Sequence, residues 1–284
     1  MRLSSVGRTH QARPHGLIGD HNVKVVLFCG GQGLRLRDHT ELLPKPMVTV
    51  GYRPILWHVM RYFAHFGHKE FILCLGYKAD VIKDYFLHYE ETLSNDFVLS
   101  GDSGAVELLR RDIADWRITF VETGLDANVG QRLKAVQRYV GDEPFLANYG
   151  DVLTDASLDE RIDSFLATDA TAAFMCVRPT SYSFHIVRLG DTNLVTRIDG
   201  VGTSDLWING GYFIFRPEIF EAIGPGEDLV EEPFTRLISA GKLQGDPYEG
   251  YWAPMDTLKD VQALQRAFDT GRPPWAIWQP QTQT

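Results

Sequence analysis

The chain has 284 residues, 44% of them hydrophobic and 23% charged, the balance of an ordinary soluble globule long enough for one large α/β domain. A net charge of −9 argues against bulk nucleic-acid binding, so an anionic ligand must be drawn in by local cations. No window approaches a membrane span, and Cys29, Cys74 and Cys176 each lie in apolar runs, as expected of buried thiols in a reducing cytoplasm rather than of a disulfide framework or metal cluster.

Residues 1–22 are polar, lack the apolar core of a secretory signal and read as a disordered extension. Residues 23–278 show no internal repeat or linker and are expected to form one domain, with residues 279–284 as a short tail. An apolar run at 25–29, opening on the β-branched Val25 and Val26, reads as a buried strand. It ends in Gly30, Gly31 and Gly33, where backbone without Cβ turns tightly and brings N–H groups close to a ligand. Arg35 and Lys45 follow shortly after, so strand, glycine turn and cations together suggest a cradle for a phosphorylated ligand. This turn is not the P-loop, since G-x-x-x-x-G-K-[ST] is absent. Nor does it complete the dinucleotide fingerprint, because Leu36 stands where the third glycine would be.

Pro54 opens a helix over residues 55–67, with Ile55, Val59, Tyr62, Phe63 and Phe66 on one face. His58 and His65 on it are expected to pack or to lie on the surface, because no carboxylate or cysteine pattern accompanies them. A strand at 70–75 and a helix at 80–93 continue the rhythm, which predicts right-handed βαβ units and a largely parallel sheet. An edge strand is expected at 106–111, a strand at 117–123, a helix at 129–139, and a short buried strand at 145–149 ending in Gly150 and Asp151. Strands at 170–178, 184–189, 194–198 and 207–216 then predict an antiparallel or mixed extension of the sheet. Gly210 and Gly211 interrupt the last of these, which marks a bulge or a close backbone approach. Helices are expected at 218–223, 230–241 and 258–271. The fold class is therefore α/β, with a mixed, mainly parallel central sheet and a small antiparallel extension.

An aspartate at the carboxyl end of a central strand lies where ligands bind in open α/β sheets, and Asp151 fits that placement. Asp256, before the last helix, is a second candidate, although an N-cap role suits its local pattern. Together the two could hold one Mg²⁺, or Mn²⁺, which takes few protein ligands. No persuasive Ser-His or Cys-His constellation is present.

The strings GGQGLRL, LPKPM, GYRPILWHVMRYF, GYKADVIKDYF, VETG, RLKAV, YGD, INGGYF, EEPF and WAPMDTLKD occur in that order. This series resembles the sugar-1-phosphate nucleotidyltransferases, whose signature runs G-G-x-G-T-R-L to K-P-M, and is most similar to their glucose-1-phosphate cytidylyltransferase branch. The resemblance implies a Rossmann-like nucleotide-binding fold, often oligomeric, that joins a nucleoside monophosphate to a sugar 1-phosphate with release of pyrophosphate. It implies that Gly30, Gly31, Gly33 and Arg35 wrap the triphosphate, that Lys45 stabilises the reacting phosphates, and that Asp151 and Asp256 hold the metal. Gly130, Gln131, Arg132 and Lys134 fall where the family contacts nucleotide and phosphate, and Asn209 and Gly210 where it contacts the sugar.

Three departures bear on the substrates. Leu34 replaces the signature threonine, and Val129-Gly130-Gln131-Arg132 replaces the cytidylyltransferase T-G-G-R. Gln131 brings both a donor and an acceptor to the base region, and so either tightens cytosine recognition or admits uracil. The family's E-K-P string is absent from residues 195–205, where Arg197 is the only substitute cation. CTP and glucose 1-phosphate are the expected substrates. The alternatives are another triphosphate or phosphorylated acceptor with the same chemistry, or a homologue that binds nucleotide sugar without turnover.

Overall fold

The computed structural model describes residues 23–31, 43–179, 185–203 and 205–279. The sheet grows from β1 (Val25–Phe28), whose four apolar residues are buried. The short strands β2 (Thr49–Val50) and β3 (Arg53–Pro54) lead into helix α1 (Ile55–His65). Next come β4 (Glu70–Leu75), α2 (Ala79–Leu87) and a surface ribbon of β5 (Phe97–Leu99) and β6 (Val106–Leu108). β7 (Arg117–Glu122), α3 (Val129–Val140), β8 (Phe145–Tyr149), β9 (Val152–Thr154) and α4 (Leu158–Leu166) complete the first half. The second half contains β10 (Ala172–Val177), a ribbon of β11 (His185–Leu189) and β12 (Val195–Gly200), then β13 (Ile208–Asn209) and β14 (Phe213–Phe215). It ends with α5 (Ile219–Ala222), α6 (Glu232–Ser239), β15 (Leu243–Tyr248), β16 (Trp252–Pro254) and α7 (Leu258–Asp269).

Across the central sheet β15 pairs with β10, whose other edge takes β13 and β14; β14 then pairs with β8, and β1, β4 and β7 follow. The β8–β1, β1–β4, β4–β7 and β10–β15 pairs are parallel, and only the β13–β14 line runs the other way. The sheet is therefore mixed and mainly parallel. Its two faces carry separate apolar cores. Ile55, Val59 and Tyr62 of α1 with Leu158, Ile162 and Phe165 of α4 fill one. Leu133, Val136 and Val140 of α3 with Phe234 of α6 fill the other. Chain order reverses at β1, with β4 on one side and β8 on the other, so a crevice opens beyond its carboxyl end.

Several expected elements differ. The second helix stops at Leu87 instead of running to residue 93, because Arg53 draws the following segment onto α1: it donates to the Glu90 carbonyl at 2.7 Å and stacks over the Tyr89 ring. Among the described residues β6 pairs with β5 alone and not with the central sheet, and the β11–β12 ribbon likewise pairs only with itself. The antiparallel component of the sheet is instead β13 and β14, offset by a bulge at residues 210–212 where Gly211 and Tyr212 both have positive φ. A side chain at Gly211 would press on Asn148 Oδ1, which accepts from Tyr212 N at 3.0 Å. The α4 helix and β15 were not anticipated; β15 reads LQGDPY, too polar and too rich in turn residues to resemble a strand. Cys29 and Cys74 are buried, and burial pushes the Cys74 thiol up to about 12, whereas Cys176 is only half-buried. Residues 1–22 and 280–284 lie outside the described residues.

Two buried polar side chains stitch this frame. Arg132 of α3, 4% exposed, reaches across the carboxyl ends of three parallel strands. Its Nη1 donates to the Leu75 carbonyl at 3.2 Å, Thr123 Oγ1 at 2.8 Å and the Gly124 carbonyl at 2.9 Å, and its Nη2 donates to the Gly30 carbonyl at 3.0 Å and the Leu125 carbonyl at 3.3 Å. His58 of α1 is buried with Nδ1 accepting from Trp275 Nε1 at 3.3 Å and Nε2 placed 3.0 Å from the Val50 carbonyl. Only a neutral ring protonated on Nε2 satisfies both contacts.

Arg132→Met should therefore lower unfolding free energy by about 3–5 kcal/mol, because it strands buried carbonyls, and an unchanged denaturant midpoint would contradict the stitching role. Burial pushes His58 down to about 4, below its ordinary value near 6.5. The unfolded chain then binds the proton more readily, so His58's stabilisation is full above about pH 6.5 and is lost as the pH falls towards 4, about 3 kcal/mol in all. Thermal melting of His58→Gln, which keeps a donor for Val50, should depend less on pH across this window than the wild type. Parallel curves would show that His58 does not titrate there.

Candidate functional site

The crevice beyond β1 is a cavity of about 660 Å³. Its walls come from the end of β1 with Gly30 and Gly31, from Tyr149 and Asp151 at the end of β8, and from the loop between β7 and α3. Lys45, Asp228 and Asp256 enter from elsewhere in the chain.

Local chain chemistry sets each of the three central groups. Lys45 starts a single 3-10 turn (Lys45–Met47) held between Pro44 and Pro46, with Met47 N donating to the Pro44 carbonyl at 2.8 Å. Asp151 follows β8, where Gly150 N donates to the Phe28 carbonyl at 3.2 Å and so ties the two strand ends together. β9 then pairs antiparallel with β16, Val152 facing Pro254, and Met255 N donates to the Asp151 carbonyl at 3.0 Å. That ladder sets Asp256 beside Asp151 although more than a hundred positions separate them. Asp256 is not the N-cap of α7: Thr257 caps it in a capping box with Asp260, which leaves the Asp256 carboxylate for the cavity.

Lys45 Nζ lies 2.5 Å from Asp151 Oδ2 and 2.7 Å from Asp256 Oδ1. Burial pushes the Lys45 ammonium down, but Asp151 first and then Asp256 more than offset it, so the group is held charged above its ordinary value. Burial raises the Asp151 carboxyl, and Lys45 opposes that rise. Two hard carboxylate oxygens thus converge on one cation. Among the described residues no group of three or more His, Cys, Asp or Glu forms a richer metal cluster. The donor set fits Mg²⁺, which is held by one or two carboxylates and completes its shell with phosphate and water, and does not fit a zinc site.

Of the other expected site residues, Gly30 and Gly31 line the cavity, while Gly33 and Arg35 lie outside the described residues. Gly130 is buried at the start of α3, where a Cβ would collide with the Glu227 carbonyl; its role is to admit residues 227–229. Gln131 does not face the cavity, because its side chain accepts from Asn128 N at 2.9 Å in the α3 capping box. Arg132 borders the cavity, where it was expected to contact the nucleotide, and both its Nη atoms donate to the strand ends. Lys134 is not brought to the site: it donates to the Phe220 carbonyl beside a separate hollow on the outer side of α3. Arg197 sits on the exposed β11–β12 ribbon, paired with Asp199 at 2.7 Å, and does not line the cavity. Asn209 is turned to the hydroxyl of Tyr149, which does line it, and the Gly210 carbonyl accepts from Trp252 Nε1 at 2.8 Å.

Tyr149, although it opens the YGD string, and Asp228, which lies in none of the motif strings, were not among the expected site residues. Burial, and after it the Asp228 carboxylate, push the Tyr149 hydroxyl up to about 12.

The nucleotidyl transferase family profile matches residues 24–268. The glucose-1-phosphate cytidylyltransferase of Salmonella typhimurium is 35% identical over 261 residues, covering 90% of this chain and all of that protein. The enzyme of the same name from Salmonella typhi matches to the same extent. Among solved structures, the UDP-glucose pyrophosphorylase of Acinetobacter baumanii superposes with a TM-score of 0.66 at 17% identity, covering 91% of this chain and 97% of that one. The chain belongs to the nucleotidyl transferase family, as a sugar-phosphate nucleotidyltransferase similar to the glucose-1-phosphate cytidylyltransferases.

Proposed function

We propose that the chain transfers the cytidylyl group of CTP to glucose 1-phosphate. A phosphate oxygen of the acceptor attacks the α-phosphorus, the bond to the β-phosphate oxygen breaks, and pyrophosphate leaves with that electron pair. The attacking oxygen is already anionic at neutral pH, so no general base is required, in keeping with a cavity that contains no paired nucleophile and base among the described residues. The observation that carries this reading is the Lys45 ammonium set between Asp151 and Asp256 at the mouth of the central strands.

The obstacle is repulsion between two anions. Lys45 is positioned to neutralise charge where the two phosphates meet, and the amides of Gly30 and Gly31 border the same space. The motif assigns Gly33 and Arg35 to these phosphates as well. Asp151 and Asp256 would hold Mg²⁺ or Mn²⁺, which supplies Lewis-acid charge stabilisation when bound. The two aspartates otherwise orient Lys45 and keep it charged. Asn209, through Tyr149, and Gly210 are assigned to the acceptor's side of the cavity.

A cytoplasmic setting accords with three unpaired cysteines and with the absence, among the described residues, of any helix long and apolar enough to cross a membrane. Self-association is supported by large exposed apolar side chains on both surface ribbons, Phe97 and Leu99 on one and Leu189 and Ile198 on the other.

With glucose 1-phosphate as acceptor, pyrophosphate release should be fastest with CTP in a panel of CTP, UTP, dTTP, GTP and ATP. Preference for another triphosphate removes the base assignment, and no turnover with any removes the acceptor. Lys45→Ala should lower kcat by about 10²–10³-fold with the melting temperature retained. A variant that loses stability but keeps its rate would reduce Lys45 to a structural ion pair. Asp151→Asn and Asp256→Asn should each weaken Mg²⁺ binding measured calorimetrically and nearly abolish turnover. Unchanged Mg²⁺ affinity in both would remove the metal assignment.

A further inference from the structure

The Gln131 side-chain oxygen is taken by the α3 cap and Gln131 does not line the cavity, which turns attention to the side chains that do. The lining of the cavity divides in two. Lys45, Asp151, Asp256 and the Gly30–Gly31 backbone form the part suited to phosphate and metal. The remainder is the loop after β7, the start of α3 and Asp228, with Tyr149 left to the acceptor's side. That loop is three strands away from β8, about 14 Å at the usual strand spacing, a distance comparable to that between the phosphates and the base of an extended nucleotide.

Asp228 is brought here by a clamped turn. The missing side chain of Gly130 lets the Glu227 carbonyl and Leu229 N close onto the first turn of α3. Asn128 Nδ2 donates to the Gly226 carbonyl at 3.0 Å. Glu227 is held by Arg236 and accepts from Gly224 N at 2.7 Å, while Leu229 is fully buried. The residues on both sides of Asp228 are thus fixed, yet among the described residues its own carboxylate receives only a long bond, 3.4 Å, from Val230 N. The group is half-buried on the cavity wall. Asp126 also lines the cavity but is exposed, where water competes for its oxygens.

We propose that Asp228 selects the base by accepting a hydrogen bond from the 4-amino group of cytosine. This rests on CTP being the substrate. A carboxylate only accepts, so it pairs with the amino group, whereas uracil and thymine present a carbonyl oxygen at that position. The wrong base then meets a repelling acceptor and leaves a partly desolvated carboxylate unpaired, which is how a polar site rejects a near-isostere strongly.

The test is steady-state kinetics of the full chain with CTP and UTP at fixed glucose 1-phosphate, for wild type, Asp228→Asn and Asp126→Asn. Wild type should prefer CTP. Asp228→Asn, whose amide can donate to the uracil carbonyl, should reduce the CTP-over-UTP ratio of kcat/KM by about 100-fold or more, mainly through KM, with an unchanged melting temperature. Asp126→Asn should leave the ratio unaltered. A wild type that prefers UTP or dTTP overturns the cytosine reading, and this proposal with it. A wild type that prefers CTP with the ratio intact in Asp228→Asn, or a ratio that collapses in Asp126→Asn instead, overturns the role of Asp228 alone.

Discussion

One ammonium group balances the charge at the heart of this protein. Lys45 Nζ joins carboxylates from Asp151 and Asp256, the latter 211 positions away in the chain. The cavity is otherwise acidic, with Asp126 and Asp228 on its walls and Arg132 as its other described cation, already engaged in the frame. A site of this sign does not attract a triphosphate by bulk charge. It needs cations placed where the phosphates meet, with the carboxylates there to position them.

The frame around that ion pair explains why several motif residues take structural roles. Parallel strands that end together expose a row of carbonyls at the rim where a ligand must enter. Arg132 satisfies carbonyls after β1, β4 and β7 with one planar fork, a geometry that lysine could not reproduce. Gly130 and Gln131 belong to the same joint, the first admitting the turn that carries Asp228 and the second closing the helix cap. Within the string VGQR, Gly130 and Gln131 therefore shape the cavity from behind, while Val129 and Arg132 border it.

The bulge in the β13–β14 line has the same character. Two residues with positive φ break a strand that runs against all its neighbours, and the break turns Asn209 towards Tyr149. Backbone held in that conformation is costly unless its surroundings specify it, and here Asn148 and Trp252 supply hydrogen bonds from within the sheet and from β16. Positions on the described ribbons show the converse. Arg197 has a suitable charge but no contact that would direct it to the cavity.

The parallel core was legible in the chain because β1, β4 and β8 are short, mainly apolar runs alternating with amphipathic helices, as strands buried on both faces require. The glycine turn, Lys45 and Asp151 were legible because each sits beside its strand or in a motif whose spacing is local. Three kinds of feature were not. The polar β15 is a strand only because β10 offers it a partner edge. Second, α2 ends early because Arg53, distant in sequence, claims the next segment. Third, whether a polar side chain faces the ligand or the frame depends on which acceptors lie within about 3 Å, and in Arg132, Gln131 and Lys134 those acceptors come from other elements or a local cap. Sequence by itself determined the fold class and the family, and pointed to Lys45, Asp151 and Asp256 as candidates. Only the tertiary structure decided that Asp256 meets Asp151 across the β9–β16 ladder and that Asp228 reaches the cavity, because proximity between distant positions is set by strand register and by the close packing that Gly130 permits.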